Sequence, residues 1–121
     1  MVVEGSVAFS NLTKHDTYMG QSTGKFNVVL TLPEEAAEEL RSKGIKVKEY
    51  EGNGQRKFST GYSVNVIDAA TGSAYVGEIP RGSIVRVKYK LGNEHPVHGV
   101  GTYLEAIKVL EEADQEVDND F

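Results

Sequence analysis

The sequence predicts a mainly β fold, a small barrel with one short α-helix, followed by an acidic C-terminal tail that is expected to be disordered. Several segments alternate apolar and polar residues with the two-residue period of a strand, and glycine- or proline-marked turns separate them. The 121 residues fit one domain, since domains cluster near ~100–150 residues. We therefore place one domain at residues 1–110 and the tail at residues 111–121.

Alternation defines the individual strands. They are predicted at residues 2–10, 24–32, 45–50, 56–67, 83–91 and 98–110. The segments 45–50 and 56–67 are expected to form a hairpin with a glycine-rich tip, and residues 11–23 to form a long polar loop. Among small folds with several strands and one helix, an OB-like β-barrel fits this order best.

One short helix is predicted between Pro33 and Gly44. Acidic residues occupy its first turn, Arg41 and Lys43 occupy its last turn, and glycine follows its end, which suits the helix dipole and the caps. Its apolar stripe is thin, so the helix is expected to cover the barrel. A usual OB barrel carries its helix between the third and fourth strands, whereas this helix follows the second predicted strand.

Charge is strongly segregated along the chain. The formal net charge is −5, but six of the eighteen acidic residues lie at positions 111–121, where no basic residue occurs. Residues 1–110 contain the remaining twelve acidic residues and all thirteen basic residues, so they carry a net charge of about +1. The barrel is thus free of the excess acidity that would repel phosphates.

The absence of cysteine excludes disulfides and thiolate metal ligands and is typical of a cytoplasmic protein. No stretch approaches the ~18 apolar residues of a membrane span, and the residues after Met1 alternate instead of forming a signal peptide. A cytoplasmic protein without a membrane partner is expected.

A basic stripe, Arg86, Lys88 and Lys90, is the strongest local feature. Alternate strand residues share a face, so these cations should stand about 6–7 Å apart, close to the spacing of phosphates in a single nucleic-acid strand. The alternative is that they are the solvent-exposed cations that protect a strand from edge-to-edge aggregation.

A basic-aromatic group, Arg56, Lys57 and Tyr62, is the second candidate for nucleic-acid binding. Aromatic rings stack on bases of any sequence. Phe58 and Tyr62 are also in phase with following valines, which favours the core for Phe58 and leaves both roles open for Tyr62. Three further candidates lie in or beside the polar loop: Lys14, Tyr18 and Lys25.

Signals for other chemistry are weak. His95 and His98, with His15 as a third ligand, are the only metal pattern, and no further ligand set supports zinc. The pair Gly99 and Gly101 fits a bulge or a close approach better than a nucleotide loop, since no helix follows. No catalytic arrangement is recognisable. We therefore expect no metal, no cofactor and no enzymatic activity.

The tail ends in Asp118, Asp120 and Phe121, which combines acidic residues with an aromatic side chain on a segment too polar to fold. This combination predicts a docking peptide for a partner protein. The alternative is a solubility tail with a chance phenylalanine.

The order of segments resembles the bacteriophage single-stranded DNA-binding proteins, which have an OB-fold core and an acidic tail ending in phenylalanine. The resemblance spans nearly the whole chain. It rests on the segment 24–32 leading into the Glu/Ala helix that ends at Gly44, the strands 82–90 and 99–109, and the tail. It implies that the barrel binds single strands by stacking and cationic contacts, and that the tail recruits replication proteins such as a polymerase or helicase.

The function expected from the sequence is sequence-independent binding of single-stranded DNA in replication, recombination or repair. The chain is also a candidate for homo-oligomer formation. The alternative is a non-catalytic interaction or virion β-domain whose acidic tail binds a basic partner. Salt-dependent retention on single-stranded DNA distinguishes the two.

Overall fold

The computed structural model describes residues 1–15, 17–97 and 99–113; the side chain of Tyr18 lies outside it. The elements, in chain order, are β1 (Val2–Asn11), β2 (Thr17–Tyr18), β3 (Gln21–Ser22), β4 (Phe26–Leu32), α1 (Glu34–Ser42), β5 (Lys48–Tyr50), β6 (Asn53–Thr60), β7 (Asn65–Asp68), β8 (Ile84–His95) and β9 (Gly99–Glu111). The one helix of this described part has nine residues and is too short to cross a membrane.

Five strands close a barrel in the order β1-β4-β6-β9-β8 and back to β1. All neighbours are antiparallel except β6 and β9, which meet in parallel where Ser59 pairs with Tyr103. The mainly β, OB-like prediction is confirmed. The helix follows β4, the second barrel strand, so the departure from the usual OB plan is present in the structure.

Alternate side chains of the barrel strands form the core. Phe58 and Tyr89 are fully buried, with ring centroids 5.2 Å apart, so the core interpretation of Phe58 is confirmed. Helix α1 contacts β1, β4 and β6 and buries Ala37 and Leu40. It begins directly after Pro33, as predicted. The chain leaves it through Gly44 with φ +83°, a conformation that favours glycine.

The predicted strand 56–67 is two strands, which corrects the sequence-based assignment. Strand β6 ends at Thr60, where its partner strand β4 begins at Phe26 and offers no further hydrogen bonds. After residues 61–64 the chain resumes as β7, which pairs in parallel with β9. Strand β8 is also longer than predicted and runs to His95 through the expected turn, with a register shift between Leu91 and Glu94.

Two β-bulges reverse the inward–outward alternation within a strand. In β1 the register shifts between Val7 and Phe9, so Val7 is buried and Phe9 is 53% exposed. In β9 the partners of Lys88 and Tyr89 are Ala106 and Leu104, which leaves Glu105 as the extra residue. Each bulge therefore turns an aromatic residue, Phe9 or Tyr103, to the outer surface.

Candidate nucleic-acid interface

An open groove of about 920 Å³ lies on the outer surface of β6 and β9. Five cationic side chains line it, and no carboxylate among the described residues does. The cations come from the residue before β4, the segment between α1 and β5, β5 itself and β6: Lys25, Lys46, Lys48, Arg56 and Lys57. We call these residues the groove cations. Because no acidic side chain of the described residues lines the groove, these residues give it a positive potential.

The middle of the groove is built on β6. Lys57 and Ser59 point outward there, in phase opposite to the buried Phe58. Neighbouring strands bring the other walls to them, since β4 pairs with β6 on one side and β9 meets it at Ser59 on the other. Lys25 immediately precedes β4 and enters the groove from the loop between β1 and β4.

Arg56 joins three segments around the groove. Its guanidinium donates from Nε (3.1 Å) and Nη2 (3.0 Å) to Thr102 Oγ1, and from Nη1 to the Lys46 carbonyl oxygen at 3.0 Å. Burial lowers the pKa of Arg56 from its ordinary value. Protein acceptors already engage the Arg56 donors, so Arg56 shapes the groove as well as charging it.

The turn between β8 and β9 forms another wall and is fixed to the end of the helix. Val100 N donates to the Gly44 carbonyl oxygen at 3.1 Å, and Lys46 Nζ donates to the Val97 carbonyl oxygen. Gly99 has φ +73°, and a Cβ there would lie 2.9 Å from the Gly44 oxygen, so only glycine fits. The close approach predicted for the Gly99 region is confirmed.

Tyr103 is a tyrosine that lines the groove, and sequence reasoning did not select it. Its side chain is 56% exposed, and its ring lies over Gly92 of β8, where an added Cβ would be 2.5 Å from Tyr103 Cε2. The ring therefore lies against the backbone of the neighbouring strand with part of its surface open. Bases can stack on such a surface.

Tyr62 lies just beyond the end of β6 and is 82% exposed. Its neighbour Gly61 would bring a Cβ to 3.9 Å from the Gly24 carbonyl oxygen, which places this turn next to Lys25. The exposed location leaves Tyr62 available for stacking and does not support a core role. Lys14 is exposed in the loop after β1, outside the groove lining, and Tyr18 pairs through its backbone with Gln21.

The loop between β1 and β4, which carries Lys14 and Lys25, is anchored by Glu78. Its carboxylate accepts hydrogen bonds from Ser10 Oγ (2.8 Å), Leu12 N (2.8 Å), and Thr13 N (2.8 Å) and Oγ1 (2.6 Å). Burial of the carboxylate acts to raise the pKa of Glu78, but the hydrogen bonds from Thr13, Leu12 and Ser10 outweigh it and lower the pKa.

The basic stripe lies on the outer face of β8 and does not line the groove. Its side chains alternate with buried Val85, Val87 and Tyr89, as predicted. Arg86 Nη2 is 3.0 Å from Glu4 Oε2 across the β1–β8 pair, and Lys90 Nζ is 3.8 Å from Glu105 Oε2. The stripe stays a predicted contact surface, with two of its three charges paired.

Among the described residues, no group of three side chains could hold a metal ion. The His15 ring contacts Phe26 edge-on at 4.7 Å, and His95 Nδ1 accepts a hydrogen bond from Val97 N at 3.1 Å. His98 and the predicted tail contacts Asp118, Asp120 and Phe121 lie outside the described residues.

Solved structures of phage proteins have the same architecture. A single-stranded DNA-binding protein of bacteriophage Enc34, solved in complex with single-stranded DNA, matches with TM-score 0.71 over 94% of this chain and 86% of its own, at 10% identity. A single-stranded DNA-binding protein of bacteriophage T7, gp2.5, matches with TM-score 0.62 over 100% and 96%, at 17% identity.

The fold is that of phage single-stranded DNA-binding proteins. At these identities the likeness concerns the backbone arrangement and says nothing about individual contact residues. No protein-family model and no curated protein matches the sequence.

Proposed function

We propose that this protein binds single-stranded DNA without sequence preference and without catalysis. The observation that carries the proposal is the groove, where five cations converge with no carboxylate among the described lining residues and Tyr103 offers an exposed ring. The groove includes β6, the third barrel strand, and lies beside the β1–β4 loop and the β8–β9 turn, which correspond to one strand and the two loops through which OB folds bind oligonucleotides. The phage neighbour solved with single-stranded DNA supports this assignment.

The composition of the groove favours a single strand of any sequence. Lysine contacts to phosphates position a strand and carry no sequence information, and stacking tolerates every base. Arg56 and Thr102, which could otherwise read base edges, bond to each other. We assign Lys25, Lys46, Lys48 and Lys57 to phosphates and Tyr103 and Tyr62 to bases, with the basic stripe and Lys14 as secondary contacts.

We assign the protein to phage DNA replication, recombination or repair, where single strands must be covered without regard to sequence. In this proposal the acidic segment competes with DNA for the groove cations, and Phe121 docks into an apolar, basic pocket on a replication protein such as a polymerase or helicase. Filling of the groove by DNA would release the tail and couple DNA binding to recruitment.

A fluorescence titration with oligo-dT at several salt concentrations tests the proposed function. Binding should weaken linearly with log salt, by about 0.7 in slope for each phosphate contact, and duplex DNA of equal length should bind more weakly, since its paired bases are unavailable to Tyr103. Absence of salt-dependent binding to oligo-dT would reject the proposal and favour a protein-interaction domain.

A further inference from the structure

The outer surface of the β1–β4–β6 sheet continues the groove with an apolar patch that the groove itself does not include. Phe9 pairs with Val29 of β4, and Val29 pairs with Lys57 of β6. These three outward side chains therefore form one row across the sheet. Lys57 lines the groove, while Phe9 lies two strands away from it and is 53% exposed.

The pairing of β1 keeps this row on one surface. The first half of β1, from Val2 to Ser6, pairs with β8 on one side of the barrel. From Ser6 to Asn11 the strand pairs with β4, so Phe9 belongs to the same three-stranded sheet as Lys57. The bulge after Val7 turns Phe9 to the outer surface, which an uninterrupted strand would not do.

We propose that Phe9 is a second base-stacking side chain and that the bound strand leaves the groove across Val29 onto β1. This inference rests on the proposed function. Tyr103 and Phe9 lie three strands apart, and Tyr103 is opposite Ser59, two residues along β6 from Lys57. Strand spacings of ~4.8 Å and this offset of ~7 Å give a separation of about 16 Å. A single strand covers that distance in roughly two or three nucleotides. Lys57 lies between the two rings, where it binds an intervening phosphate.

Bases are the occupant that fits this patch because it adjoins a cationic groove. An extended strand placed with its phosphates on Lys57 and Lys25 directs its next bases over β4 and β1. There the half-buried Val29 and exposed Phe9 present apolar surface to them. Stacking on an exposed phenyl ring is worth a factor of roughly 5 to 100 in affinity per base.

Oligonucleotide length and ring chemistry test the inference together. Phe9→Leu keeps the apolar surface and removes the aromatic ring. We expect it to bind oligo-dT of about ten nucleotides roughly 5- to 100-fold more weakly, with an unchanged salt slope. Binding of a dinucleotide, which is too short to reach from Tyr103 to Phe9, should be unchanged. Equal affinity of Phe9→Leu and wild type for the longer oligomer would overturn the inference.

A direct reporter is available because the chain contains no tryptophan. Phe9→Trp should keep the affinity for the ten-nucleotide oligomer, and the longer oligomer should quench its fluorescence. The control is Ile67→Trp, an exposed position on β7 beyond β9, whose emission should not change. Absence of quenching at position 9 in a DNA-bound complex would also overturn the inference.

Sedimentation of the same variants distinguishes a different occupant. If Phe9→Leu altered self-association and left DNA affinity unchanged, the patch would join two copies of the chain, and stacking would be rejected. If wild-type protein bound neither oligomer in a salt-dependent way, the proposed function itself would fail. That result is separate from a failure confined to position 9.

Discussion

Two surfaces of this barrel are rich in lysine and arginine, and they differ in what faces each charge. On β8 the basic stripe follows the regular alternation of one strand, yet Arg86 lies opposite Glu4 and Lys90 lies near Glu105. The groove cations come from four separate parts of the chain, and no carboxylate among the described residues lines their groove. Attraction for phosphate depends on this net local charge and not on the number of cations.

The sharpest comparison replaces two cations on each surface. We expect Lys25→Ala with Lys57→Ala to reduce affinity for oligo-dT by at least about a hundredfold at low salt, since charged contacts contribute ~1.5–3 kcal/mol each. The dependence on log salt should flatten by about 1.4, the loss of two phosphate contacts. Both quantities follow from one titration series.

The matched control is Arg86→Ala with Lys88→Ala, which removes the same charge from the stripe. It should change affinity and slope far less. If the stripe variant lost as much as the groove variant, the strand would also run along β8, and the distinction between the two surfaces would disappear.

Tyr103 tests whether the groove also supplies stacking. We expect Tyr103→Ala to cost about 1–3 kcal/mol of binding while leaving the salt slope unchanged, because no charge is removed. Tyr103→Phe should bind like wild type. A change in the salt slope of Tyr103→Ala would show that a neighbouring charge is responsible. Equal losses of affinity in Tyr103→Ala and Tyr103→Phe would show that the hydroxyl is responsible. Tyr62→Ala, measured beside it, reports whether the path extends past the end of β6.

Strand periodicity was enough to predict the β fold, the helix and the core position of Phe58, because each depends on residues close in sequence. It could not predict the outward position of Tyr103. Val109, Ile107 and Tyr103 have the same parity, which places Tyr103 in the core of an uninterrupted strand. The extra residue Glu105 reverses the parity.

The groove was predictable only in part for a related reason. Arg56 and Lys57 were selected as basic residues near an aromatic, Lys25 was selected as a further candidate beside the polar loop, and all three line the groove. Lys46 and Lys48 carried no local signal, since they reach the groove only because the end of the helix is fixed to the β8–β9 turn. The spacing of the stripe residues predicted a phosphate-binding surface. The sequence pattern did not indicate that Glu4, more than eighty residues earlier in the chain, lies opposite Arg86.

The two surfaces also differ in how they are supported: the stripe is part of a paired strand, while Lys25 follows a long loop anchored by Glu78. We expect Glu78→Gln to lower the free energy of unfolding by about 1–2 kcal/mol near neutral pH, through the loss of charged hydrogen bonds. Because the folded pKa is lowered, this contribution is complete above the ordinary glutamate pKa of about 4.3 and is lost as the pH falls through the folded value.

Denaturant titrations at several pH values measure this difference between Glu78→Gln and wild type. The exposed helix residue Glu38, changed to Gln, is the control and should show no comparable pH-dependent difference. A stability gap for Glu78→Gln that persisted at pH values well below the folded pKa would contradict an electrostatic anchor and indicate a packing defect.

The smallest expected effect is that of the acidic tail. Its removal shows whether the tail competes with DNA, and for which basic surface. Truncation should start at residue 114, because β9 includes Glu111 and Ala113 N donates to Ser83 Oγ at 3.0 Å. Removing residues 114–121 takes away four carboxylate side chains. If these compete with phosphates at the high local concentration of a tethered ligand, we expect affinity for oligo-dT to rise a few-fold at low salt. The gain should vanish at high salt, where charges are screened.

Combining this truncation with the paired substitutions identifies the surface involved. In the Lys25→Ala, Lys57→Ala background the truncation should no longer increase affinity, since the competing site has already lost its charge. In the Arg86→Ala, Lys88→Ala background the few-fold gain should persist. The reverse pattern would assign the competition to the stripe, and a truncated protein that bound no more tightly than the full chain at low salt would reject competition by the tail.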